Sequence, residues 1–273
     1  GFVPPPELAG AKAITINSAP ASPSLTPPTG LHLWYSTDEQ LLNWTIFTNA
    51  SSVQSSNNMT CVICPDLVPE DLLPGYIGDN YVWVETMDRT TTDGSYSHTF
   101  YVLAGSTRCA PGHPWCSYQG LGGNSTAQSL LFRSTDLLHW EFVSQFSGQE
   151  VVASKPQQRI DTPDTFALTT KTQAAVPSTW PATDPPASAA GENNGNATQA
   201  FIWLSQGGDP PYACHTIWQV GDLDSETNAF VPKLLHPTEA AGPVQGCADL
   251  GSMFCQQSLT TVDGHRVSFG WIG

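Results

Sequence analysis

The chain has 273 residues, a formal net charge of −15, only nine Lys and Arg, and 23 each of Gly and Pro. So few cations exclude a phosphate-binding nucleic-acid surface and an anionic membrane surface, and no apolar run is long enough to span a bilayer. Low charge, 40% hydrophobic residues and frequent turn formers fit one large all-β domain built of many short strands.

Residues 1–30 are rich in Pro, Ala and Ser and read as an extended tail or linker. Structure is expected to begin at Leu31-His32-Leu33-Trp34-Tyr35 and to continue as one unit through residue 273. The text Tyr35-Ser36-Thr37-Asp38, then Leu41-Leu42-Asn43-Trp44-Thr45-Ile46-Phe47, returns as Arg133-Ser134-Thr135-Asp136-Leu137-Leu138-His139-Trp140-Glu141-Phe142-Val143. Each copy reads as a strand, a corner whose Ser and Asp side chains bond backbone N–H groups, a buried Trp, and a returning strand. Repeated hairpins of this kind build β-propellers; the plainer alternative is two unrelated hairpins in a sandwich.

Residues 48–75 form a polar loop with Cys61 and Cys64. No further ligands follow at zinc spacing and no βαβ context surrounds the pair, so a structural disulfide is expected, within the pair or with distant partners. Tyr81–Val84 and Thr99–Leu103 read as neighbouring strands, and Cys109 and Cys116 bracket a compact loop. Asp161-Thr162-Pro163-Asp164 leads into an apolar run; Asp164 is expected to be structural, bonding backbone where that strand begins. Residues 172–199 are low-complexity and read as a surface insertion. Strands resume at Phe201–Ser205, at Ile217–Asp224 with Phe230 and Val231 returning, and in a final pair around Asp263-Gly264.

Sequons at Asn43, Asn49, Asn58, Asn124 and Asn196, together with seven cysteines, point to the secretory route: an extracellular protein or one of the secretory-vacuolar lumen. His98, His113 and His215 lack metal-ligand spacing, so no metal and no cofactor are expected. Asp38 and Asp136 read as corner residues and His139 as an outward one. Trp34, Trp83, Trp203 and Trp218 either stack on sugar rings or fill the core. No Gly-x-Ser-x-Gly and no glycine-rich phosphate loop occur.

Taken in order, Ser134-Thr135-Asp136-Leu137-Leu138-His139-Trp140, Val220-Gly221-Asp222-Leu223-Asp224, Asp249-x-Gly251-x-x-Phe254 and Arg266-x-x-x-Gly270-Trp271 resemble the motifs of glycoside hydrolase family 32, the invertases and fructan hydrolases. The resemblance implies a five-bladed β-propeller with a funnel-shaped site on its axis. It also implies that the propeller is incomplete here, with the first blade and the C-terminal β-sandwich of intact members absent, so that a longer product or a second polypeptide completes it. It further implies retaining hydrolysis of sucrose or fructans by two carboxyl groups about 5–5.5 Å apart, aided by a third that stabilises the transition state. Asp161 falls where the family's Glu-Cys-Pro-Asp acid/base stands, and Asp88, within Thr86-Met87-Asp88-Arg89-Thr90-Thr91, where the stabiliser of Phe-Arg-Asp-Pro-Thr-Thr stands. No Asn-Asp-Pro-Asn-like nucleophile segment occurs in these residues. Two function classes follow: a β-fructofuranosidase-like hydrolase whose nucleophile comes from a missing segment, or an inactive extracellular propeller that binds carbohydrate or serves in an assembly.

Overall fold

The computed structural model describes residues 4–18, 30–48, 61–72, 74–90, 96–108, 126–147, 160–168, 200–207, 216–224, 226–233, 245–249, 253–261 and 266–272. Fourteen strands lie among them: β1 (Ala13–Ser18), β2 (Leu31–Ser36), β3 (Thr45–Ile46), β4 (Pro74–Thr90), β5 (Tyr96–Arg108), β6 (Thr126–Ser134), β7 (Glu141–Ser147), β8 (Ile160–Leu168), β9 (Ala200–Gly207), β10 (Thr216–Leu223), β11 (Phe230–Pro232), β12 (Gln245–Asp249), β13 (Met253–Thr260) and β14 (Arg266–Ile272). The described helical residues are three single 3₁₀ turns, Pro6–Leu8, Pro65–Leu67 and Glu70–Leu72.

The strands form four antiparallel sheets in chain order: β1-β2-β3, β4-β5-β6-β7, β8-β9-β10-β11 with β12 added beside β10, and β13-β14. Each sheet packs on the one before it. Leu31, Leu33 and Ile63 meet Val102, Phe132 and Trp140 in one core between the first and second sheets. Leu103, Leu131 and Phe146 meet Phe230 between the second and third, where the Phe146 and Phe230 rings stack 5.9 Å apart. β13 in turn lies against β8 and β9. This is the pinwheel of small up-and-down sheets that a propeller requires, with β4, β8 and β13 gathered at its centre.

One device builds the β2–β3, β6–β7 and β10–β11 connections. Asp38 Oδ1 and Oδ2 accept the Gln40 and Leu42 N–H groups, both at 2.8 Å. Asp136 Oδ1 accepts those of Leu138 and His139 at 2.9 and 2.8 Å, and Asp224 Oδ1 accepts that of Thr227 at 2.7 Å. In the first two corners the Trp indole N–H then donates back to a leucine carbonyl, Trp44 to Leu41 and Trp140 to Leu137. Those leucines have positive φ, 56° and 71°. Left-handed backbone is strained for leucine, so the hydrogen bonds on either side must hold it there.

The same bonds set an acid dependence. Burial pushes the Asp136 carboxyl up, but the N–H and imidazole of His139, the Leu138 N–H and the Ser134 hydroxyl outweigh it, and the pKa falls below its ordinary value. Asp38, bonded foremost by Gln40 N–H, and Asp224, bonded foremost by Thr227 N–H, are lowered too. A lowered folded pKa means that the unfolded chain binds more protons. The contribution is therefore full above about pH 4 and disappears as pH falls through the folded value. Urea midpoints for wild type and Asp136→Asn are expected to differ at neutral pH and to converge as pH falls through the lowered pKa of Asp136.

Gly221 in β10 explains the glycine of its motif. A Cβ there would stand 2.5 Å from the Val231 carbonyl oxygen and 2.5 Å from the Phe230 ring. Gly221→Ala is expected to cost about 1–3 kcal/mol, read as a lower urea midpoint, because either the β11 backbone or the Phe230 ring must move.

Two expectations change. Residues 13–18, read as part of a tail, form β1, whose Ile14 and Ile16 alternate with Thr15 and Asn17 and whose six residues all pair with β2. Trp44, read as buried like its counterpart, is 38% exposed, whereas Trp140 is 4% exposed. The Cys61 and Cys64 pair closes on itself as a disulfide, buried among the first sheet's core residues. The Cys109–Cys116 loop, the 172–199 insertion, the Asp263-Gly264 turn and the sequon asparagines Asn49, Asn58, Asn124 and Asn196 lie outside the described residues.

Candidate functional site

The three central strands share an irregularity. Three steps from Gly78 to Tyr81 on β4 oppose two from Gly105 to Leu103 on β5. Three from Asp161 to Asp164 on β8 oppose two from Gln206 to Leu204 on β9. Three from Phe254 to Gln257 on β13 oppose two from Trp271 to Phe269 on β14. Each is a β-bulge, which bends its strand and re-aims the adjoining side chains. The residue types suit such a bend. Gly78 and Pro163 are tolerated at bulges, and Asp79 takes a φ of 47°, which Asp accepts more readily than most residues.

The bulges meet. Asn80 Nδ2 donates to the Ile16 carbonyl of β1 at 2.9 Å, and Gln257 Nε2 donates to the Asn80 carbonyl at 3.0 Å. Around this junction opens a cavity of about 780 Å³, its polar wall made by Asn17, Asp79, Asn80, Gln257 and Ser258 and its apolar wall by Tyr81 and Phe269 among others. That size and mixture suit a small polar ligand, with a few directed hydrogen-bonding groups on an apolar wall. Behind it, Ser258 Oγ donates to Oδ2 of the fully buried Asp164. Asp164, expected to bond backbone where its strand begins, bonds a side chain of the fourth sheet and so ties β8 to the cavity wall.

Asp161 stands three residues before Asp164, at the other end of the same bulge, with its backbone opposite Gln206. Asp88 lies near the far end of β4, beside a second irregularity between Met87 and Thr90. The side chains of both lie outside the described residues. β4 and β8 are in contact, but Asp88 is nine residues beyond Asp79, roughly 30 Å of extended chain. Asp79 is a cavity-lining carboxylate that sequence reading did not single out. Its signal was Gly78-Asp79-Asn80, a trio of turn formers inside the run Tyr76-Ile77 … Tyr81-Val82-Trp83, the pattern of a bulged strand.

The aromatic residues divide. Trp83 stacks between Tyr81 and Tyr101, at 5.7 and 5.1 Å, and packs on the core between the second and third sheets. His139 is exposed and bonds Asp136 Oδ2 at 2.7 Å, which makes it part of the corner and not a base. Among the described residues no group of three or more His, Cys, Asp or Glu could hold a metal ion, and no helix is long and apolar enough to cross a membrane.

Residues 110–273 match the family profile described as the glycosyl hydrolases family 32 N-terminal domain, a β-propeller. Among solved structures, a family 32 β-fructofuranosidase of Bombyx mori is 17% identical, with 95% of this chain aligned to 40% of that one at a TM-score of 0.48. A fructofuranosidase of Schwanniomyces occidentalis solved with fructose is 14% identical, with 89% aligned to 32% at 0.44. A β-fructofuranosidase of Aspergillus kawachii solved with glycerol is 13% identical, with 90% aligned to 35% at 0.46. The chain thus spans less than half the length of each of these proteins. No curated protein matches.

Proposed function

From the premise that this chain belongs to glycosyl hydrolase family 32, we propose that it forms part of a β-fructofuranosidase-type site for sucrose or a fructan, working with retention. The observation that carries the reading is the cavity at the junction of the bulged central strands, with Asp79 on its wall and the Asp161–Asp164 bulge anchored behind it through Ser258. In this scheme Asp161 protonates the leaving glycosidic oxygen and later activates water. A carboxylate of β4 hydrogen-bonds the fructosyl hydroxyls as charge develops on the ring. Asp79, already in the cavity wall, takes that role in preference to Asp88. The attacking carboxylate comes from polypeptide outside these 273 residues, which contain no Asn-Asp-Pro-Asn-like segment. Two carboxyl groups about 5–5.5 Å apart then complete a retaining pair. The sequons and the buried Cys61–Cys64 disulfide support a secreted or vacuolar protein.

A second reading, carbohydrate binding without hydrolysis, is favoured by one feature. Asp161 is one methylene shorter than the glutamate of the family motif, and a misplacement near 1 Å can cost about a hundredfold in rate. Incubating the full polypeptide with sucrose and with inulin, while measuring both binding heat and hexose release, separates the two. Binding without release selects the second reading, and neither binding nor release removes both. Asp79→Asn is expected to lower whichever signal is present at least tenfold, and Asp88→Asn to leave it within twofold. The reverse order would return the stabilising role to Asp88.

A further inference from the structure

The first and second corners are two versions of one structure, and their differences are informative. Asn43 occupies the place of His139. Asn43 Nδ2 donates to Asp38 Oδ2 at 3.2 Å, as the His139 ring nitrogen bonds Asp136 Oδ2 at 2.7 Å. The apolar residues beside them behave differently: Leu42 is 80% exposed, whereas its counterpart Leu138 is 4% exposed, packed into the core against the first sheet. His139 nevertheless keeps a side chain 60% exposed. The corner thus presents this one position to solvent even where another sheet covers its neighbours. Asn43 is itself exposed and begins Asn43-Trp44-Thr45, the sequon whose acceptor and hydroxyl residue both lie among the described residues.

We propose that Asn43 carries an N-linked oligosaccharide, held at the outer end of the first sheet by the corner carboxylate. In the transfer, Nδ2 bonds the anomeric carbon of an oligosaccharide borne on a lipid diphosphate. The bond from that carbon to the diphosphate oxygen breaks, the diphosphate leaves, one amide proton passes to solvent, and nothing is oxidised or reduced. The amide keeps its second N–H, and that one continues to donate to Asp38 Oδ2. A corner so modified still closes, and the sugar projects past any sheet that comes to cover Leu41, Leu42 and Trp44. The proposal rests on the secretory part of the reading above and is independent of hydrolysis.

The test is glycopeptide mapping of the full polypeptide secreted from yeast, for wild type and Thr45→Ala. Thr45 contributes no side chain to the corner, so its removal abolishes the sequon while leaving the Asp38 bonds in place. Oligosaccharide on the Asn43 peptide of wild type and its loss in Thr45→Ala, with urea midpoints showing both proteins folded, is the expected result. A bare Asn43 in secreted protein overturns the proposal, whether the other sequons are occupied or not. Persistence of the sugar in Thr45→Ala overturns it equally, because the attachment then lies elsewhere.

Discussion

On the proposed hydrolase reading, asparagine in place of Asp161 is expected to lower β-fructofuranoside hydrolysis by about 10²–10⁴, the usual worth of a positioned general acid/base. The change preserves size and hydrogen-bonding shape, and the β8 bulge is held by Asp164 and Pro163, so folding should survive. What is lost is the proton given to the leaving oxygen, and with it the alkaline limb of the pH–rate profile, which reports the acid form of that group. Asp161→Glu makes the complementary test. It restores the longer side chain of the family motif, moving the carboxyl outward by roughly one C–C bond, and is expected to keep or raise the rate. Initial rates of hexose release from sucrose across pH 3–8 (about that range spans carboxyl and His titration) would show both effects. Equal rates for wild type and Asp161→Asn would remove Asp161 from the chemistry.

Asp164→Ala is expected to cost about 2–4 kcal/mol of stability without touching the reacting groups directly. Asp164 is fully buried, and Ser258, the donor to its carboxylate, is buried with it. Truncation removes a charge-assisted bond between the third and fourth sheets and leaves a small void beneath the cavity wall. Ser258→Ala should cost less, about 1–2 kcal/mol, since it removes only the donor. Because the two residues share one bond, their effects should fall short of additivity by about 1 kcal/mol or more in a double-mutant cycle. Urea unfolding at neutral pH measures all three. A loss below about 0.5 kcal/mol for Asp164→Ala, the range of ordinary surface substitutions, would mean that the bond does not hold the sheets together.

The parts of the fold that were legible are those written locally. Ser36-Thr37-Asp38 and Ser134-Thr135-Asp136 bond backbone groups within five residues of themselves, so their corner roles can be read from the text alone. The strands around them follow from alternation and from β-branched and aromatic residues. β1 was missed because the Pro, Ala and Ser on both sides outweighed the short Ala-Ile-Thr-Ile alternation. Burial of the two corners was not legible either: nearly identical text is covered in one and open in the other, because among the described residues a neighbouring sheet packs on only the second.

The candidate site shows the same division. Asp161-Thr162-Pro163-Asp164 stood out as two carboxylates around a proline, but nothing in the text says that Asp164 meets Ser258, 94 residues away. Nor does it say that Asp79 lines the cavity. A bulge of a single residue decides which side chains of β4 line the cavity, since each one-residue slip exchanges the two faces of a strand.

By itself, then, the sequence determined an all-β chain of repeated hairpins with Ser-x-Asp corners, because those hydrogen bonds close over a few residues. The tertiary structure alone decided that Asp79 lines a cavity. That choice depends on strands from three sheets and on the register of each, and register is fixed only when the sheets pack.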